Sequence, residues 1–194
     1  MIWFTSDQHF NHDRSFIYAL RGFSSIEQAN AEMVRCWNAV VSPDDEVFQL
    51  GDFFLGTDMD FVSYTLDQLN GKIHIIRGNH DSNAKINFYQ NHPKIIDISD
   101  GQYFEYKHKL FYLCHYPVFT KNLERSREGQ KICNIHGHTH SKLAHKGHPF
   151  QYNVAVDAHE CYPVSIDSIW ETIDTLDKKR DYAYSKQFKG SPHR

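Results

Sequence analysis

Five short segments of the chain collect carboxylate, imidazole and carboxamide side chains at close spacing. They are Asp7-x-His9, Gly51-Asp52, Gly78-Asn79-His80-Asp81, a lone His115, and Gly137-His138-x-His140. Each alone is weak evidence, because Asp-x-His and Gly-Asp are ordinary turn chemistry and a single histidine is commonly a hydrogen-bonded loop residue. Together they offer enough nitrogen and oxygen donors for metal coordination. A mixture of carboxylate and imidazole suits Mn, Fe, Zn, Co or Ni, whereas an oxygen-only set would suit Mg or Ca. Gly51, Gly78 and Gly137 each precede a candidate ligand, where they would let the chain turn sharply.

Such donors converge only if the elements carrying them end at a common edge. Runs rich in apolar, β-branched or aromatic residues, bounded by turn residues, predict strands at MIWFTS, EVFQL, KIHIIR, KIIDI, LFYLC, KICNI and QYNVAV. Between them, Ile26, Ala29, Met33, Trp37 and Val40 recur at three- and four-residue steps behind Ser25 and Gln28, which fit a capping box. A second helix is predicted near Asp58 to Leu69, with Phe61, Thr65, Leu66 and Leu69 on one face. A third begins near Ile166 and runs through Trp170, Ile173 and Leu176; residues 178–194 then lose the apolar period and read as a polar extension or frayed helix. Strands alternating with helices, then several strands in succession, predict an α/β fold with a mixed sheet or two mixed sheets packed face to face. Every donor segment follows a predicted strand, so all five fall on loops that can share one sheet edge.

The 194 residues suit one domain spanning 1–194. The start of the chain lacks a basic region followed by a long apolar run, and no apolar stretch approaches membrane-spanning length, so a soluble, cytoplasmic protein without a membrane partner is expected. Cys36, Cys114, Cys133 and Cys161 form no C-x-x-C pair and read as small buried residues. A net charge of -3 argues against a surface devoted to duplex nucleic acid.

The order Asp-x-His, Gly-Asp, Gly-Asn-His-Asp, His, Gly-His-x-His, spanning residues 7 to 140, resembles the calcineurin-like metallophosphoesterases. Beyond it, NVAVDA and YPVS look like the closing strands of small bacterial and phage members that lack a cap domain. The resemblance implies two packed sheets flanked by helices, holding two divalent transition metal ions, with Mn ahead of Fe, Zn, Ni or Co. It implies that Asp7, His9 and His140 bind one metal, that Asn79, His115 and His138 bind the other, and that Asp52 bridges them. His80 would be the catalytic residue beside the scissile phosphate, attacked by a hydroxide held between the two cations. In one respect the chain departs from the family: many phosphatases carry a second Asp three residues after the bridging one, and here that position is Leu55. His80 therefore needs another partner, such as Asp81 or a backbone carbonyl.

Three residues near these motifs are candidates for binding substrate. His12 is three residues from His9, so a helical turn would put both rings on one face; it is a phosphate-binding group, an extra ligand or a plain loop histidine. Arg14 and Arg77 could clamp phosphate oxygens or serve as structural charges. Residues 120–131 read as a solvated loop or a wall meeting the substrate. His136 falls on the far side of its strand from the ligands. Tyr116 and Pro117 shape the loop at His115, and Phe10, Phe53 and Phe54 line the pocket or fill the core.

The leading reading is a hydrolase acting on a small phosphodiester, a nucleotide or cyclic nucleotide. The alternatives are a phosphomonoesterase, including a protein phosphatase, a nuclease, and a scaffold keeping the fold without the chemistry. Against the first, Gly-Asp-x-x-Asp and Gly-Asn-His-Glu are absent; against the second, no basic stripe is visible; against the third, every ligand position is filled.

Overall fold

The computed structural model describes residues 1–118, 132–147 and 149–188, so the segment 120–131 lies outside the described residues. In chain order the elements are β1 (Ile2–Thr5), α1 (Ser15–Tyr18) with a 3-10 turn at Ala19–Arg21, α2 (Ile26–Val40), β2 (Glu46–Gln49), α3 (Met59–Gln68), β3 (Lys72–Ile76), α4 (Asn83–Tyr89), β4 (Ile95–Ser99), β5 (Gln102–Tyr106), β6 (Lys109–Leu113), β7 (Cys133–His136), β8 (Gln151–Asn153), a 3-10 turn at Val156–Ala158, β9 (Val164–Ser165) and α5 (Ile166–Phe188).

The strands form two mixed sheets, in the orders β4-β3-β2-β1-β9 and β5-β6-β7-β8. In the first, β1 to β4 run parallel and β9 closes the edge antiparallel to β1; in the second, β5 and β6 are antiparallel and the rest parallel. This is the α/β arrangement of two sheets flanked by helices that the sequence predicts.

Alternation along the strands divides the core in two. Val47, Ile73 and Ile75 point out of the first sheet onto Ala29, Met33 and Trp37 of α2 and Val62 and Leu66 of α3. Their neighbours Phe4, Phe48 and Ile76 point the other way, onto Phe111, Leu113, Cys133 and Ile135 of the second sheet and Ile166, Ile169 and Ile173 of α5. The helices therefore form where the sequence alternates an apolar stripe with a polar face. The cap of α2 differs in detail from a capping box. Ser25 accepts from the Gln28 N–H at 3.2 Å, but Gln28 Oε1 reaches the N–H of Ser24 rather than that of Ser25.

Helix α5 continues to Phe188, past the point where the apolar period fades, and 189–194 lie outside the described residues. Among the described residues no helix is long and apolar enough to cross a membrane.

At one end of the sheets the two halves are sewn together. Ser6 at the exit of β1 forms a parallel bridge with Ala155 beyond β8, and the loop after β1 runs beside the loop after β2. The N–H groups of Asp7, His9 and Phe10 donate to the carbonyls of Gly51, Asp52 and Phe53 at 3.0–3.1 Å. Backbone pairing beyond the sheet edge thus fixes the register of both loops.

Candidate metal centre

All five donor segments leave the same end of the two sheets and meet there. Asp7 and His9 follow β1, Asp52 follows β2, Asn79 and His80 follow β3, His115 follows β6, and His138 and His140 follow β7. Asp7, Asp52 and His115 are buried, while Asn79, His80, His138 and His140 face the open side.

The carboxylates are aimed by the main chain around them. Asp7 Oδ2 accepts from Ser6 Oγ at 2.6 Å and the His138 N–H at 2.9 Å, leaving Oδ1 facing His9 Nε2 at 4.0 Å and His140 Nε2 at 3.9 Å. Asp52 Oδ1 accepts the His80 N–H at 2.8 Å, which turns Oδ2 toward His9 Nε2 at 3.6 Å and His115 Nε2 at 3.5 Å. On the other side, Asn79 Oδ1 lies 3.0 Å from both His115 Nε2 and His138 Nδ1.

Backbone strain concentrates here. Asp7, His9, Asp52, His138 and His140 all have φ between 47° and 69°. Non-glycine residues in this region are uncommon and cost of order 1–3 kcal/mol each unless the surroundings hold them. Of the neighbouring glycines, only Gly51 needs a positive φ of its own. Gly78 and Gly137 serve a different purpose from the turn the sequence suggests. A Cβ on Gly78 would overlap Asp52 Oδ1, and one on Gly137 would overlap Asp7 Oδ2, so both allow the main chain to approach a carboxylate.

Among the described residues, two sets of donors are close enough to hold an ion: Asp7, His9 and His140, and Asp7, Asp52 and His115. The electrostatics fit a cation. Asp7 Oδ1 and both ring nitrogens of His9 are buried without a hydrogen-bond partner, a costly arrangement unless something neutralises it. Burial raises the Asp7 carboxyl above its ordinary range, and burial holds His9 down at about 3 despite the pull of Asp52. Burial would raise Asp52 as well, but hydrogen bonds from His115 and the His80 N–H hold it at about 2. The neutral His9 ring and ionised Asp52 are the forms that coordinate metal. His115 is also oriented: its Nδ1 stands 2.8 Å from the Leu50 carbonyl, so Nδ1–H donates there and Nε2 faces the centre, where a bound ion would take the place of the proton it shares with Asp52.

His80 sits at the mouth, its side chain 48% exposed, with Nε2 4.0 Å from Asp52 Oδ2. Asp81 does not orient its ring. That carboxylate is buried beneath the loops, and Oδ2 accepts the N–H groups of Asp52 and Gly78 at 2.9 Å. It is the main chain of His80 that is anchored: its carbonyl accepts from the buried Lys85 Nζ at 2.8 Å, and the same ammonium donates to the Phe54 carbonyl at 2.6 Å.

His12 packs against His9 with ring centroids 5.6 Å apart, and its Nδ1 is buried without a partner. Arg14 is exposed nearby. Arg77 is committed elsewhere, to the Asp81 carbonyl and Asn83 Oδ1. His136 is buried and bonds the Gly137 carbonyl, away from the donors. Tyr116 is half-exposed and packs edge-on against His115 and His138, while Phe10, Phe53 and Phe54 are fully buried in the core.

Two residues at the centre carry no motif in the sequence reading. Asp157, from the 3-10 turn after β8, accepts from His140 Nδ1 at 2.9 Å. Arg21, at the end of the turn after α1, grips Asp157 through Nε and Nη2 at 3.0 and 3.1 Å. Those bonds hold the Asp157 carboxyl at about 2 although burial would raise it. The signal available was the acidic residue of NVAVDA, which reads on its own as a turn residue.

The calcineurin-like phosphoesterase superfamily domain matches residues 1–152, and the chain belongs to that superfamily of phosphoric ester hydrolases. Its members typically bind divalent metals, and the Asp and His groups described here could hold one. The chain is 32% identical over 182 residues to the uncharacterized protein MJ1445 of Methanocaldococcus jannaschii, covering 89% of this chain and 91% of that one. It is 28% identical over 205 residues to the gene 66 protein of Mycobacterium phage L5, covering 90% and 94%. The crystal structure of AQ665, a protein of unknown function from Aquifex aeolicus, superposes with a TM-score of 0.67 at 25% identity, covering 89% of this chain and 98% of that one.

Proposed function

We propose that the protein is a single-domain phosphodiesterase that depends on two divalent transition metal ions, manganese foremost, and hydrolyses a compact diester of nucleotide or cyclic nucleotide type. The observation that carries this reading is the position of Asp52 Oδ2, 3.6 Å from His9 Nε2 and 3.5 Å from His115 Nε2. One carboxylate oxygen facing imidazoles of both donor groups is suited to joining two cations. Asp7, His9 and His140 would hold one ion, Asn79, His115 and His138 the other, with Asp52 shared. When bound, such ions supply Lewis acidity toward phosphate oxygens and lower the pKa of water.

The remaining chemistry falls to the side chains at the mouth. His80 is exposed on the side from which an ester would approach, so its Nε2 is the group to hold a proton at the departing oxygen. His12, packed against His9, and the exposed Arg14 would bind non-bridging phosphate oxygens. Leu55 leaves the His80 ring without the carboxylate that many relatives place there. A dianionic monoester with an alkoxide leaving group depends heavily on a well-placed acid, which favours a diester. The net charge of -3 likewise favours a small substrate over duplex DNA.

The test is an assay of the metal-reconstituted protein on bis-p-nitrophenyl phosphate, p-nitrophenyl phosphate, cyclic nucleotides and long DNA. Preference for diesters over the monoester is expected under saturating Mn. A clear reversal would make the protein a monoesterase, and salt-sensitive cleavage of DNA would make it a nuclease.

A further inference from the structure

We infer that Arg21 and Asp157 are positioning residues that set the metal affinity of the Asp7, His9 and His140 half of the centre while leaving the other half untouched. The inference rests on the proposed metal site; its selectivity needs two ions, and the positioning role needs only one.

A histidine presents one chosen nitrogen to a metal in a fixed direction when the other is held. For His140 the holder is Asp157: Nδ1 lies 2.9 Å from Asp157 Oδ2, so Nδ1–H donates and Nε2 turns its lone pair toward Asp7 Oδ1, 3.9 Å away. A partly exposed ring is thereby given one tautomer and one direction. Asp157 is itself held. Its side chain is 13% exposed and that of Arg21 only 5%, and the two form a forked pair through both carboxylate oxygens.

The same guanidinium reaches the other two donors through their main chain. Arg21 Nη2 donates to the Asp7 carbonyl at 2.7 Å and Nη1 to the Gln8 carbonyl at 2.8 Å. These peptide groups lie between Asp7 and His9, both strained at φ of 60° and 50°. One arginine thus braces the strained turn that carries two donors and, through Asp157, the ring of the third. A lysine could not reproduce this, because it lacks the planar fork.

The second half is supported by another device. His115 is oriented by the Leu50 carbonyl, and Asn79 Oδ1 lies 3.0 Å from His115 Nε2 and His138 Nδ1. Among the described residues, neither Arg21 nor Asp157 hydrogen-bonds to that group. Loss of the pair should therefore weaken one metal site selectively, and outer-shell partners of this kind typically govern about 10- to 100-fold in affinity.

The experiment titrates Co(II) into the metal-free full chain and follows stoichiometry, affinity and the visible absorption of the bound ion, for the wild type, Asp157→Ala, Asp157→Asn and Arg21→Lys. Thermal melting of each metal-free protein reports folding separately. In Asp157→Ala one class of site should weaken about 10- to 100-fold, with a changed absorption spectrum, while the other keeps its affinity. Asp157→Asn should rescue part of this loss, since its amide oxygen can still accept from His140. Arg21→Lys should weaken the same class, and it carries the test alone if the aspartate variants do not fold. Equal weakening of both classes, or wild-type affinity throughout, would overturn the inference. A wild type that binds one ion, weakened by Asp157→Ala, would end the two-metal reading and with it the selectivity, and leave the positioning role standing. No binding by the wild type would end both.

Discussion

The main chain at Gly137 passes so close to Asp7 that a methyl group on its Cα would overlap the carboxylate oxygen Oδ2 and the hydroxyl of Ser6. This approach is what allows the next residue, His138, to donate its N–H to Asp7 at 2.9 Å. A donor loop of the second sheet is thereby locked to a donor of the first. Gly137→Ala should force the two apart, costing about 1–3 kcal/mol of stability by overpacking and lowering metal content. Urea unfolding of the metal-free variant, with metal analysis of the reconstituted one, checks both. Wild-type values for the two measurements would mean that the loops tolerate separation.

Asp52, proposed to be shared between the two ions, makes a sharper test. Its Oδ1 is committed to the His80 N–H, so in Asp52→Asn the amide oxygen must stay there and the NH2 group must face His9 and His115. An amide nitrogen cannot coordinate. The variant should bind less metal and lose nearly all turnover. Two ions per chain with an unchanged rate would remove Asp52 from the centre.

Much of this architecture was legible because the site-bearing strands are apolar and end in polar loops. What escaped was whatever breaks the usual residue code. β5 alternates Gln102, Phe104 and Tyr106 with Tyr103 and Glu105, a half-exposed pattern, and joins β6 through Lys107 and His108, both at positive φ. A hairpin turn of that kind normally announces itself with Asn or Gly. α4 buries Lys85 and Tyr89 rather than an aliphatic stripe, since Lys85 serves the carbonyls of the donor loops. Arg21 and Asp157 are 136 positions apart and meet only in the fold.

Away from the centre, Asp45 ties the start of the chain to the first sheet. Its Oδ1 accepts from the N-terminal ammonium at 2.6 Å, and Oδ2 accepts from Trp3 Nε1 and the Ser42 N–H at 2.9 Å each. Burial would raise its pKa, but these donors prevail and lower it below the ordinary 3.8. A depressed carboxylate contributes stability above its unfolded pKa and loses it as pH falls through the folded value. Asp45→Asn should thus destabilise by on the order of 1 kcal/mol at pH 7, with screening at the surface included. The difference from the wild type should shrink below about pH 4. Urea midpoints at the two pH values measure it, and a difference that grows in acid would contradict the assignment.

The position of His80 leads to a prediction about the leaving group. Its main chain is fixed from both sides, by Asp52 Oδ1 and by Lys85 Nζ, while among the described residues no group hydrogen-bonds to its ring. The imidazole is therefore delivered to the mouth by its backbone and left free for the acid role proposed for it. A residue placed to protonate a departing oxygen matters most when that oxygen is basic. His80→Ala should keep the bound metal and lower the rate by on the order of 10²-fold for an alkyl or nucleoside leaving group. The loss should be much smaller for p-nitrophenolate, which departs with little help from an acid. The two rates, measured on one metal-loaded preparation of the variant, decide the matter. Equal losses for both leaving groups would make His80 a phosphate-binding group rather than an acid, and loss of metal would make it a ligand.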